Sequence, residues 1–371
     1  MTRRIVIDAR SRGSTGRYAE RLLHHLQDLD EQSDYFVLVK KEQDWQPHAV
    51  NFTPVVADIK DYSWQEQIHL WWIISRLRPD LVHFTMPQQP LLYRGKTVTT
   101  IHDLTMLRFH NLDGNRLVYL SKLAVFRGLL FLVARTSAAL ITPTEWVKSD
   151  VERTLRVPAA KIHVTHEAAD PLPCEPVPIG QLQDRQFILF NGNVFPHKNV
   201  RRLIDGYRLI RARHPDLLLV IAGKLGEQGR RLQEATRPAN DVRFLGFVPD
   251  GELKWLMANA RAYVYPSLSE GFGLPGLEAM LLDTPVVASN ATCLPEVYRD
   301  AAHYFDPLDV DDIACKLDEV LTDATLREEL VRKGRRLLAE YSWDRLARQT
   351  LAVYRAVLAG ERVGQLRPWR R

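Results

Sequence analysis

Hydrophobic residues in this chain fall in short runs that are apolar on both faces. Between the runs, apolar positions recur every three or four residues. "RIVIDA", "YFVLV", "DLVHFT", "TVTTIHD", "AALITPT" and "KIHVTHE" lie in the first half; "QFILFNGN", "LLLVIAG", "VRFLGF", "AYVYPS", "PVVAS" and "AHYFDP" lie in the second. A strand apolar on both sides is buried on both sides, and the helical segments supply crossovers. The pattern therefore predicts two parallel sheets, each covered by helices on both faces. Between the halves, "DPLPCEPVPIG" carries Pro171, Pro173, Pro176 and Pro178. Residues with a locked φ and no N–H do not build a helix interior or a central strand, so an extended strap is expected there. The expected domains are residues 1–170, a linker at 171–183, residues 184–345, and a helix and tail at 346–371 that return to the N-terminal domain.

Composition changes the picture little. The 371 residues suit two domains, and 46% hydrophobic with 26% charged residues is an ordinary globular balance. The longest apolar run, "LAVFRGLLFLVA", is broken by Arg127 and too short to span a bilayer. "MTRRIVIDAR" leads straight into a strand without a signal-peptide pattern, so a cytoplasmic location is expected. Cys174, Cys293 and Cys315 form no C-x-x-C, and neither a disulfide framework nor a zinc site is expected. The net charge of +5 suits an anionic partner: nucleic acid, an anionic membrane surface or a phosphorylated substrate. No basic-aromatic sheet motif, Cys/His finger or helix-turn-helix pattern accompanies it, so nucleic acid is not expected.

In open parallel sheets, ligands sit outside the carboxyl ends of the strands. Four groups stand just after the apolar runs: "SRGSTGRY", the pair His102 and Asp103, "NGNVFPHKN" and "PSLSEGFGLPGLEAM". They fall in both halves, so one site in the cleft between domains is the economical expectation. Within the last group, Gly271, Gly273 and Gly276 match G-x-G-x-x-G, the dinucleotide-loop pattern. A dinucleotide site needs an acid ending the next strand, and "TPVVASN" ends in Ser289 and Asn290, which argues against NAD or FAD. Two readings remain: a tight glycine turn, or an anion site. Pro275 suits the first turn of a helix, and the N–H groups of Gly271 to Leu274 just before it could hold a phosphate. Asp309-Val310-Asp311 is a D-x-D, but it precedes a helical segment and reads better as an N-cap with a first-turn acid. No catalytic metal and no cofactor are expected.

Glu270 and Glu278, spaced Glu-x7-Glu with G-F-G-L-P between, resemble the donor loop of the retaining nucleotide-sugar glycosyltransferases of family GT4. "GSTGRY", "TVTTIHDL", "FNGNVFPHKNVRRLI", "VRFLGFVPDGELKWLMANARAYVYPSLSEGFGLPGLEAM" and "YSWDRLARQTLAVY" are similar to further family segments, in family order and over most of the chain. The resemblance implies an α/β chain with the GT-B fold, two Rossmann-like parallel-sheet domains facing across a cleft. It implies a catalytic set of Glu270, His102 and Lys198. Glu270 faces the donor sugar, His102 reaches it, and Lys198 meets the leaving diphosphate. Asp103 would support the His102 loop. Glu278 binds the ribose, a carboxylate accepting from a cis-diol. Gly271, Phe272, Gly273, Leu274, Asn193, Val248, Gly13 and Gly16 complete the donor-binding set. Asn193 departs from the family, which often carries an arginine there; His197 or Arg201 are the candidates to compensate. Taken alone, Lys198 reads as a solvated lysine opening a helix, Arg17 as a first-turn surface arginine, and His102 with Asp103 as a turn.

The implied reaction moves a hexose, with a lean to GDP-mannose and otherwise a UDP-hexose, onto a glycan or lipid-linked acceptor in surface polysaccharide synthesis. In the family's retaining chemistry the leaving phosphate accepts the acceptor's proton on the same face. The alternative is a non-catalytic nucleotide-sugar-binding partner subunit. On the acceptor side, Trp71 and Trp72 are adjacent, so one buried and one half-covered ring is expected. "KLAVFRGLLFLVAR" is expected as a core helix. Its second reading, with Lys122, Arg127 and Arg135, is a surface-lying helix at the inner face of the membrane, to which the tail "RPWRR" would add charge.

Overall fold

The computed structural model describes residues 2–11, 14–43, 45–60, 63–109, 116–236 and 241–361. Gly13 and the tail "RPWRR" lie outside the described residues. The chain forms two compact units. The first comprises Met1–Leu104, Leu117–Glu167 and Ser342–Arg371; the second comprises Thr105–Arg116 and Ala168–Tyr341. Thus a short segment after His102 and Asp103 groups with the second unit, a crossing that composition does not signal.

The first unit runs β1 (Arg3–Asp8), α1 (Ser14–Leu29), β2 (Ser33–Val39), β3 (Phe52–Val56), α2 (Trp71–Leu77), β4 (Leu81–Phe84), β5 (Thr97–Thr100), α3 (Arg116–Thr136), β6 (Ala139–Thr142), α4 (Glu145–Leu155) and β7 (Ile162–Val164). Its seven strands are all parallel, in the order β3-β2-β1-β4-β5-β6-β7. β4, β5 and β6 are buried throughout, although β5 is three threonines and a valine and β4 carries His83. β3 has no buried run of this kind. It is an edge strand mostly facing out, and the edge is where Pro54 can sit without costing a ladder bond.

The second unit runs β8 (Phe187–Asn191), α5 (Val200–Ile210), β9 (Leu218–Ala222), α6 (Glu227–Thr236), β10 (Val242–Gly246), α7 (Asp250–Asn259), β11 (Ala262–Tyr265), α8 (Leu274–Leu281), β12 (Val286–Ser289), α9 (Leu294–Tyr298), β13 (Ala302–Phe305), α10 (Val310–Thr322) and α11 (Ala324–Leu338). Its strand order is β10-β9-β8-β11-β12-β13, again all parallel. In both sheets the order reverses around the first strand, which places the ligand crevices at the carboxyl ends of β1 and β4, and of β8 and β11. The last helix, α12 (Trp343–Ala359), belongs to the first unit, where the Tyr354 hydroxyl lies 2.6 Å from Nδ1 of His83 on β4.

Side-chain caps start several helices. Asp309 accepts from the N–H groups of Asp311 (2.9 Å) and Asp312 (3.2 Å), so the D-x-D opens α10. The Pro-rich stretch is extended and fixed to α7: Lys254 Nζ donates to the carbonyls of Leu172 (3.2 Å) and Cys174 (2.7 Å), and Val177 N–H to that of Gly251 (2.9 Å).

Two expectations are corrected. α3 is not a core helix along its length: Leu130, Val133 and Ala134 are buried, but Leu120, Val125, Phe131 and Leu132 are exposed, Val125 by 72%. Its 21 residues span about 31 Å, whereas a four-residue strand such as β5 or β6 spans about 13 Å. Only its last turns can dock. Neither Trp71 nor Trp72 is buried, being 40% and 52% exposed. The chain enters α2 through a π-turn at Glu66–Leu70, and Leu70 and Ile74, four apart, take the core positions instead. The Arg76 guanidinium lies over the Trp72 ring, 4.6 Å from its centre.

Candidate active site

In the second unit, the turn Pro196–Lys198 follows β8 and ends at Asn199, whose φ of 56° swings the chain into α5. The Asn199 amide donates to the carbonyls of Pro266 (3.1 Å) and Pro307 (2.7 Å), tying this turn to the loops after β11 and β13. The His197 carbonyl accepts from Leu268 N–H at 2.7 Å, a second tie to the glycine loop. So held, Lys198 Nζ lies 2.6 Å from Glu270 Oε1, and the pair is 17% and 13% exposed. Burial would raise the Glu270 carboxyl, but the Lys198 ammonium outweighs it, with a smaller contribution from His197, and holds it below the usual carboxylate range. Of the two compensating residues considered for Asn193, His197 thus reaches Glu270 electrostatically; Arg201 lies exposed on α5. The ammonium also sits 5.4 Å from the Tyr265 ring centre.

The backbone of Glu270 is held as well. Its N–H donates to Thr292 Oγ1 (3.2 Å), and its carbonyl accepts from the Cys293 thiol (3.3 Å). Three residues on, Gly273 precedes α8 as its N-cap with a φ of 94° and no side-chain cap; Pro275 has no N–H and the Gly276 N–H donates to the Gly273 carbonyl at 3.2 Å, so the Leu274 N–H is the first-turn group placed for an anion. The Tyr298 hydroxyl donates to the Gly273 carbonyl. A Cβ on Gly273 would lie 2.6 Å from that hydroxyl and 2.7 Å from Leu294 Cδ2, and one on Gly276 would overlap the Tyr298 ring. Two of the three motif glycines are therefore small because Tyr298 lies under them.

Gly271, Phe272 and Leu274 are buried, and the Phe272 ring packs edge-on against Tyr341, 5.5 Å between centres. Glu278 is buried within α8. Asn193 is exposed after β8, and Val248 is buried after β10. Lys198 and Glu270 are in direct contact; Asn193 and Val248 follow other points of the same sheet's carboxyl edge. The crossing segment lies on this loop too: Thr105 Oγ1 is 2.8 Å from Ser269 Oγ, and the Phe109 ring is 6.1 Å from that of His197. Asn199, Tyr298 and Thr105 carry no motif signal, since each acts through a partner distant in sequence.

In the first unit, His102 follows β5 and Asp103 is exposed beside it. His102 Nδ1 is 3.1 Å from Glu167 Oε1, Nε2 is 3.1 Å from the Thr85 carbonyl, and the Tyr18 ring stands edge-on at 4.8 Å. Gly16 lies in the first turn of α1, where a Cβ would come within 2.8 Å of the Ser11 carbonyl. Just before that turn, a buried cluster stiffens the end of β1: Arg10 donates to both Asp8 oxygens (2.8 Å each) and to Glu66 (3.1 Å). Asp8 ends β1 and Arg10 lies two residues beyond it, so the pair is local in sequence.

Residues 177–337 match the model of the glycosyl transferases group 1, and residues 15–171 that of glycosyltransferase family 4. The O-antigen chain mannosyltransferase B of Escherichia coli is 34% identical over 275 residues, covering 70% of each chain. Among solved structures, sucrose-phosphate synthase of Thermosynechococcus elongatus superposes with a TM-score of 0.72 at 16% identity, over 97% of this chain and all of that one. The Anabaena protein HepE in complex with UDP and glucose gives a TM-score of 0.70 at 16% identity, over 95% of this chain and all of that one. These two superpositions carry the GT-B fold for the whole described chain. The family models and the O-antigen relative carry the activity class, and the chain belongs to the group 1 glycosyl transferases of glycosyltransferase family 4.

Proposed function

We propose that this glycosyltransferase is a retaining, metal-independent hexosyltransferase. It takes the sugar from a nucleoside diphosphate, GDP-mannose first and a UDP-hexose second, and gives it to a glycan or lipid-linked acceptor in surface polysaccharide synthesis. The carrying observation is the Lys198–Glu270 pair three residues before the uncapped start of α8. A cation, a carboxylate and the backbone of a helix start are what a departing diphosphate and a charging sugar ring require. Lys198 and the N–H groups of Gly271 to Leu274 meet the diphosphate, Glu270 meets the sugar, and Glu278 accepts from the ribose hydroxyls. His102 is the first-unit residue assigned to the sugar. As the bond between the anomeric carbon and the phosphate oxygen breaks, the acceptor hydroxyl oxygen bonds to that carbon on the same face and gives its proton to the leaving phosphate oxygen, so no separate base and no cofactor are needed.

The lean to mannose and to surface polysaccharide rests on the E. coli relative's name; HepE, with UDP and glucose, keeps UDP-hexoses in view. A peripheral position on the inner face of the membrane is supported by the exposed apolar residues of α3 and by Trp71 and Trp72. Among the described residues no helix is long and apolar enough to cross a membrane. A thermal-shift panel of GDP- and UDP-sugars tests the donor. The true donor at 100 times its dissociation constant stabilises by about 2.7 kcal/mol, and a chain indifferent to every nucleotide sugar overturns the reading. Transfer or slow hydrolysis of the bound donor excludes a non-catalytic subunit.

A further inference from the structure

His102 is enclosed by acceptors. Its Nδ1 faces a Glu167 oxygen and its Nε2 faces the Thr85 carbonyl, both at 3.1 Å. A carboxylate and a carbonyl can only accept, so each ring nitrogen must carry a proton for both bonds to form, and a neutral imidazole carries only one. His83, on the neighbouring strand β4, is the contrasting case. Its nitrogens meet the hydroxyls of Tyr354 (2.6 Å) and Thr100 (2.9 Å), which can donate or accept, so a neutral ring satisfies both.

We propose that Glu167 is a positioning residue that, with the Thr85 carbonyl, locks His102 as a doubly protonated imidazolium at the carboxyl end of β5. What the first unit then offers the donor is a fixed cation rather than a ring titrating near neutrality. The inference rests on the assignment of His102 to the donor sugar made above. Three strand ends build the lock, since Thr85 follows β4, His102 follows β5 and Glu167 follows β7. The groups facing the ring act in one direction except for burial. Burial opposes the charge, but the Glu167 carboxylate, the Thr85 carbonyl and neighbouring Asp103 outweigh it and raise the His102 pKa. His83, packed behind, is pushed down to about 3 by burial and by the His102 charge, so it adds no competing cation. The Tyr18 ring stands almost at a right angle to the imidazole, 4.8 Å between centres, and the His102 side chain keeps 14% of its surface exposed.

Nitrogen-15 NMR of histidine-labelled full-length protein, with His102 assigned by its loss in His102→Gln, reads the charge directly and without donor. The His102 ring should lose its second proton at a higher pH than an ordinary imidazole. In Glu167→Gln the midpoint should fall toward the ordinary value of about 6.5. The kcat profile of the native enzyme should be flatter from pH 6 to 8 than that of Glu167→Gln. In Glu167→Gln kcat should fall about 25-fold over that range, following the charged fraction of an ordinary imidazole, with donor KM changing much less. Glu167→Asp should restore most of the flatter profile. That rescue, with recovery of Glu167→Gln at pH 6, separates lost charge from a misfolded chain. A native His102 titrating near 6.5, or a Glu167→Gln profile identical to the native one, overturns the proposal. A fully active His102→Gln would instead remove the role assigned to His102, and the nitrogen shifts would show that separately.

Discussion

Lys198 Nζ and Glu270 Oε1 stand 2.6 Å apart, so the two charged groups assigned to the donor neutralise each other at the site's resting position. The bond holds the ammonium in place and keeps the carboxylate ionised despite burial. Lys198→Met should leave Glu270 largely buried without its counter-charge. Breaking such a pair costs about 3 kcal/mol, and loss of one donor to the developing negative charge lowers kcat by about 100-fold or more. The pH dependence has a definite sign. The Glu270 pKa is depressed in the folded chain, so the pair's contribution is present above the ordinary carboxylate value of about 4.3 and is lost as pH falls through the lower folded value. Urea unfolding should therefore separate native and Lys198→Met protein at pH 7 and bring them together in strong acid. Equal stability at pH 7 would show that the pair contributes nothing.

The two glutamates should fail differently. The ribose is the same in donor, transition state and released nucleotide, so Glu278→Gln should weaken nucleotide binding by about 10- to 150-fold, the worth of a hydrogen bond to a charged group, with less effect on kcat. The sugar ring gains positive charge as its bond breaks, so Glu270→Gln should lower kcat by at least that range and leave free-nucleotide affinity nearly intact. Calorimetric titration beside initial rates at saturating donor checks both, and an identical pattern for the two variants would refute the division of roles.

Tyr298 makes the glycine loop specific to this chain. Gly276→Ala should drive a methyl into the Tyr298 ring and destabilise by about 1–3 kcal/mol. Adding Tyr298→Val should recover part of that in Tm, though not all, because the Gly273 carbonyl then loses its donor. Gly273→Ala should not be rescued in the same way, since its φ of 94° disfavours any side chain. A Gly276→Ala protein that melts with the native one would contradict the packing argument.

Turnover should be unchanged after exhaustive EDTA treatment, because in the proposed site Lys198 and backbone N–H groups neutralise the diphosphate. Activity lost on chelation and restored by magnesium or manganese would end the metal-independent reading.

The exposed face of α3 should bind anionic vesicles. Arg116–Thr136 contains no acidic residue, and its Lys122, Arg127 and Arg135 flank the exposed Val125 and Leu132. Co-sedimentation with phosphatidylglycerol vesicles should weaken several-fold in Val125→Glu with Leu132→Glu, and also at high salt. The Tm should stay unchanged, because neither side chain is buried. Equal sedimentation of native and doubly substituted protein would remove the membrane role.

The sequence alone determined what short-range patterns can carry. Runs such as "FILFN" and "LLVIA" are strands buried on both faces, and burial on both faces requires parallel sheets with crossover helices. Asp309 as an N-cap and Pro275 in a first turn were legible because cap and helix are neighbours in the chain. The tertiary structure decided whatever depends on partners far apart. β3 became a strand because the sheet edge accepts Pro54. α3 stayed half uncovered because it outruns the strands beneath it, and the Trp71–Trp72 pair turned outward because a π-turn set the helix phase. Gly273 and Gly276 looked like phosphate-loop glycines, yet the ring beneath them belongs to Tyr298, and only the packing of α9 under α8 shows it. The charge on His102 is the sharpest instance. The imidazole is the same in any sequence, and the carboxylate that raises its pKa belongs to Glu167, 65 residues away, brought to it by the order of strands in the sheet.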